Sequence, residues 1–131
     1  MKKILLILMF STQFLFAQER LGYSYKDIVL EWSPSPMSYE NNRDGNLVLN
    51  VELSYANVVY EFNSDSVCLV TKIYPKTNKD LKMLIAQNDA TCISVSCGVW
   101  MGVFRDGMAS CKLVDGKYFV WNIEYYVNSN E

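Results

Sequence analysis

The chain contains no histidine. That absence removes the usual general base, the commonest zinc ligand and every Ser-His or Cys-His nucleophile arrangement. Glycine and proline are sparse, six and three in 131 residues, and no glycine-rich phosphate loop is built from them. The four cysteines contain no C-x-x-C spacing, which speaks against a zinc site and against a thioredoxin-type redox pair. After residue 17 no long apolar run occurs, so nothing downstream reads as a membrane span. No internal repeat, low-complexity stretch or interdomain linker is visible.

What is present begins with a short basic start, Met1-Lys2-Lys3, followed by an apolar run from Ile4 to Phe10, a polar Ser11-Thr12-Gln13 break and Phe14-Leu15-Phe16-Ala17. This is the layout of a secretory signal peptide, residues 1–17, cut after the small Ala17. No cysteine follows Ala17 to take a lipid. The expected location is secreted or periplasmic, without stable membrane insertion once the signal is removed. Residues 18–131 then make a single domain, long enough to bury a core. Losing Lys2 and Lys3 leaves ten basic residues against fourteen acidic ones, a net of −4 spread along the chain. Nucleic acid is therefore not an expected partner.

Two Asp-Gly pairs, Asp106-Gly107 and Asp115-Gly116, punctuate an apolar and aromatic stretch from Gly98 to Val127 and predict a three-stranded β-meander. Two-residue turns would split its apolar residues between both faces. Three-residue loops closed by the glycines instead pair Cys111 with Phe119, Ala109 with Trp121 and Met101 with Cys111. That register gathers Met101, Val103, Ala109, Cys111, Leu113, Phe119, Trp121, Ile123 and Tyr125 on one core face. Trp100, Phe104, Tyr118 and Val120 then share the other face with Ser110, Lys112, Asn122 and Glu124.

Upstream, Ser24 with Asp27 forms a cap, and Tyr25, Ile28, Val29 and Trp32 recur at helical spacing until Ser33-Pro34-Ser35-Pro36 stops them. The opening Gly22-Tyr23-Ser24-Tyr25-Lys26-Asp27-Ile28 is similar to that of small envelope proteins of the SmpA type, and implies a capped helix but no functional residue. Met37 to Asn46 reads as an exposed loop. Glu40, Asn42, Asp44 and Gly45 fall at the first, third, fifth and sixth places of a calcium loop, but Val51 stands where the closing carboxylate belongs, so no metal is expected. Strands follow over Leu47–Leu53, Val58–Phe62 and Val67–Tyr74, then a second capped helix from Thr77 to about Asn88 and a strand over Thr91–Val95. The predicted fold class is α+β: a two-layer sandwich whose antiparallel sheet of about seven strands ends in the meander, with two short helices on one face.

Cys68, Cys92, Cys97 and Cys111 are an even number in an exported chain, which favours disulfides. Free cysteine is equally a small buried hydrophobe, and the sequence leaves both readings open. Cys92 and Cys97 would stand roughly 16 Å apart on one extended strand, so any bridge has to involve Cys68 or Cys111. The acidic residues fall in caps, turns and exposed strand positions. No catalytic residue, metal or cofactor is expected. The sequence supports a small binding or interaction protein of the envelope, an inhibitor or immunity protein being its specific form, with another envelope or secreted protein as partner. Its working surface would be the face carrying Trp100, Phe104, Tyr118 and Val120. The alternative is a small envelope hydrolase or thiol enzyme.

Overall fold

Ser24 starts helix α1 (Tyr25–Trp32) as predicted, its hydroxyl accepting the Asp27 N–H at 3.2 Å. The helix stops at Ser33, which turns extended ahead of Pro34. A computed structural model describes residues 20–104 and 107–126, so the segment read as a signal peptide and the turn residues Arg105 and Asp106 lie outside the described residues.

Four strands follow α1: β1 (Met37–Asn41), β2 (Leu47–Glu52), β3 (Ala56–Phe62) and β4 (Cys68–Pro75). Helix α2 (Asn78–Thr91) comes next, with Thr77 as cap: its oxygen accepts the Asp80 N–H at 3.1 Å and its hydroxyl donates back to the Asp80 carboxylate at 2.8 Å. It runs past the expected end at Asn88, since no glycine or proline interrupts Asp89-Ala90-Thr91. Four more strands complete the chain: β5 (Ile93–Ser96), β6 (Val99–Phe104), β7 (Gly107–Val114) and β8 (Tyr118–Tyr126).

The fold is mixed α+β with one antiparallel sheet of eight strands, in the order β1-β2-β3-β4-β8-β7-β6-β5. The expectation of about seven strands is corrected by β1, which occupies most of the stretch read as a loop. Its side chains are half-buried at Met37 and exposed from Ser38 to Asn41, so no buried face imposed a hydrophobic period on the sequence. Only the turn after Asn41 is a loop, and there the Asn42 side chain accepts the N–H groups of Asp44 and Asn46 at 2.9 and 3.0 Å. The calcium-like spacing is thus a backbone turn. Helix then four strands occurs twice, with β4 pairing β8 at the seam.

The registers line up the core in rows across the sheet. Leu49, Tyr60, Thr71, Trp121, Cys111 and Trp100 oppose one another in turn, and Val51, Val58, Ile73 and Phe119 form the next row. All ten are buried. Ile28 of α1 and Leu84 of α2 belong to the same buried cluster, each worth roughly 1.5–3 kcal/mol when fully removed from water. Two indole hydrogen bonds join helices to strands: Trp32 of α1 donates to the Tyr60 hydroxyl of β3, and Trp100 of β6 donates to the Asp89 carboxylate of α2, both at 2.9 Å.

The meander forms, but its register differs from the prediction. At the second turn, Asp115 and Gly116 take the left-handed φ values of 53° and 64° and pairing resumes at Val114 with Tyr118. The shift against the expected pairing is two residues, an even number, so Ala109, Cys111, Phe119 and Trp121 stay on the buried face as expected. At the first turn Phe104 pairs Gly107, one residue off. That odd slip exchanges the faces of β6, sending Trp100 into the core and Met101 and Val103 to the other side. Gly102 suits this register: a Cβ there would lie 3.3 Å from the Trp121 ring and 3.3 Å from the Cys92 sulfur, a close fit that a residue without a side chain relieves.

Candidate functional site

The sheet face opposite the core is assembled by the same registers. One row runs Ser38, Asn50, Val59, Lys72, Val120, Lys112 and Val99, and the next runs Glu40, Val48, Glu61, Val70, Asn122, Ser110 and Met101. Valines alternate with charged and amide side chains along and across the strands. Long lysine stems can lie over the valine methyls while their ammonium groups reach water. Lys72 bonds Glu61 at 2.8 Å, and that carboxylate holds its ammonium protonated above the ordinary lysine range.

Beside Val120 and Lys72 on this face, Tyr74 and Tyr118 stack with ring centroids 4.8 Å apart and planes 24° from parallel. Towards β1 the face dips into an open hollow of about 470 Å³ lined by Pro36, Ser38, Asn50, Glu52, Asn57 and Val59 among others. That volume lies within the range of small-ligand clefts, roughly 300–1,000 Å³. Glu52, at its rim, is paired with Lys76 at 3.2 Å. The face as a whole presents stacked phenols, valines, amides and paired charges.

Of the residues singled out from the sequence, Tyr118 and Val120 lie on this face with Lys112 and Asn122, half-buried except for the exposed Lys112. Trp100 does not. It is only 3% exposed, sits on the core side, and tilts against Phe119 at 5.9 Å between centroids. Phe104 shares the even-numbered register of Trp100, and its side chain lies outside what is described. The expected cluster is therefore divided by the sheet. On β6 the vacated places go to Val99, Met101 and Val103, while Tyr74, Val59 and Asn50, which the sequence reading did not single out, extend the same face across β4, β3 and β2. Only the β4–β8 pairing brings Tyr74 to Tyr118, and no local sequence signal encodes a pairing between strands so far apart in the chain.

No disulfide joins any of the four cysteines, so the disulfide expectation is not met. Cys68 is fully buried and its thiol is pushed up to about 12, first by burial, with hydrogen bonding to the Thr71 side chain and the Val70 backbone opposing. A nucleophilic thiol needs the opposite shift. Cys111 is buried as well and accepts the Asn88 amide N–H at 3.6 Å. Cys92 is half-buried at the end of α2, and Cys97 is exposed in the β5–β6 turn. The Tyr60 phenol, fully buried, is held well above its ordinary value by burial although Trp32 bonds it. Cys68 and Tyr60 belong to the core and neither opens on the face of Tyr118. Among the described residues no group of three or more cysteines and carboxylates is placed to hold a metal ion, and no helix is long and apolar enough to cross a membrane. Comparison with protein families, with curated proteins and with solved structures gives no match.

Proposed function

We propose that this chain is a small non-catalytic binding protein, exported to the periplasm or medium after cleavage at Ala17, which engages another envelope or secreted protein. In this reading the domain is a two-layer sandwich. Both helices cover the core face, and the opposite sheet face is left for the partner. The observation that carries the reading is the stacked Tyr74–Tyr118 pair beside Val120, Lys72 and Lys112. Rigid aromatic rings among polar residues give contact area at small entropic cost and are favoured anchors in interfaces. An inhibitor or immunity protein for a secreted enzyme is the form of binding that suits so broad and shallow a surface.

The test is capture of partners from an envelope extract by the wild-type chain, Tyr118→Ala and Lys112→Glu, with thermal unfolding recorded for each. The expected result is a partner held by wild type and lost by Tyr118→Ala and Lys112→Glu, with Tm kept within a few degrees. A partner retained equally by both variants would place the binding surface elsewhere. Intact mass of exported protein checks the cleavage: a species still carrying residues 1–17 would remove the basis for export.

A further inference from the structure

We propose that β5 is a self-association edge, through which two copies of this chain pair antiparallel about a two-fold axis and continue the sheet from one subunit into the other. The inference is independent of the partner-binding face proposed above. In the strand order β5 comes last, with β6 on one side and, among the described residues, no strand on the other. Soluble proteins guard such edges with charges, proline or a covering element, because an open row of backbone donors and acceptors templates further pairing. Here Ile93, Ser94, Val95 and Ser96 are all exposed. No charged residue occurs anywhere from Ala90 to Phe104, in a chain that is 20% charged. The opposite edge, β1, carries Glu40 and leads into Arg43 and Asp44.

Apolar surface collects at the same place. Ile93, Val95 and Val103 are 67%, 60% and 76% exposed, and Tyr125 is 53% exposed. Ile93 lies opposite Met101, Val103 opposite Met108, and Met108 opposite Tyr125, which makes one strip along the face away from the core. An uncovered apolar strip beside an open edge is where a second strand gains most from docking.

A second copy fits for two reasons. The mature chain is net negative, so a two-fold contact through charged surface sets like charges together, whereas this stretch has none to oppose. Ile93-Ser94-Val95 also has the same apolar, polar, apolar order in both directions. Antiparallel pairing centred on Ser94 places Ile93 against Val95 of the partner subunit, with Ser94 meeting Ser94 of the partner subunit. The irregularity between Ser94 and Ser96 on the β6 side keeps the shared ladder short, so the association is reversible and the flanking strip contributes to it.

Sedimentation equilibrium over a concentration series tests this on the full mature chain. Wild type is expected to pass reversibly from one to two chains. Ser94→Lys, which sets two ammonium groups together at the axis, raises the dissociation constant about tenfold or more, and Val103→Lys on the strip raises it less. Ser38→Lys, on the β1 edge, leaves the dissociation constant unchanged. Circular dichroism is recorded for all three, each substitution being at an exposed position. A monomer at every concentration, a dimer indifferent to both Ser94→Lys and Val103→Lys, or one weakened equally by Ser38→Lys would overturn the proposal.

Discussion

The Trp100 indole donates to the Asp89 carboxylate at 2.9 Å, tying β6 to α2 and turning the ring away from Tyr118. Trp100→Ala is therefore expected to cost roughly 3–5 kcal/mol, the usual penalty for emptying a buried tryptophan site. Asp89→Asn keeps an oxygen for the indole and should cost about 1 kcal/mol. Tyr118→Ala loses a half-exposed stack and should stay near 0.5–1.5 kcal/mol. Urea unfolding of the three variants separates the core ring from the surface ring.

Gly102→Ala puts a methyl within 3.3 Å of the Trp121 ring and of the Cys92 sulfur. The ring is buried in the core row and has little freedom to withdraw, so a loss of about 1–3 kcal/mol is expected. Adding Cys92→Ala removes one of the two close neighbours and should recover part of that loss. A double variant no more stable than Gly102→Ala alone would leave the Trp121 ring as the sole source of the strain.

Stability should fall in alkali with a sign fixed by Cys68. Its thiol is pushed up to about 12 in the folded chain, against roughly 8.5 when unfolded. Below about pH 8.5 both states keep the proton and this group contributes no slope. Above it the unfolded chain gives up a proton that the folded chain retains, so stability declines towards pH 12, by up to about 1.4 kcal/mol per pH unit. Tyr60, also raised by burial, adds a decline of the same sign above about pH 10. Urea midpoints between pH 7 and 11 check this: Cys68→Ala should lose the decline between 8.5 and 10 while keeping the part that begins near 10.

Thiol labelling should follow burial. Cys97 is expected to react first in the native chain, Cys92 more slowly, and Cys68 and Cys111 only on unfolding. Mass spectrometry under non-reducing conditions should count four alkylated cysteines after denaturation. A bridged pair would contradict the fold, in which no disulfide joins the four cysteines.

Local signals carried well into the structure. Ser24 and Thr77 with their aspartates marked both helix starts, and Asp115-Gly116 marked its turn. What the sequence left ambiguous was phase. An Asp-Gly pair suits two-residue and three-residue loops alike, and β6 is apolar on both sides, with Val99, Met101 and Val103 against Trp100 and Phe104. Alternation favoured the wrong phase there, and the contact that suits the observed one, Gly102 against Trp121, joins residues brought together only by the finished sheet. The same distance hid Tyr74 from Tyr118. Strand β1 escaped notice because an exposed edge has no face to bury.

The seam between the two meanders also sets an order in time. Ile73 has to wait for Phe119, and Val70 for Asn122, because β4 closes the first half of the sheet while its neighbour β8 is the last strand among the described residues. A polypeptide emerging amino end first holds β1 to β4 with one flank uncovered through the appearance of α2, β5, β6 and β7. Lys72, in the middle of that flank, is paired with Glu61 across β3 and β4. Among the described strands, only β8 joins β4 to β7, so the two halves of the sheet become one through residues 118–126.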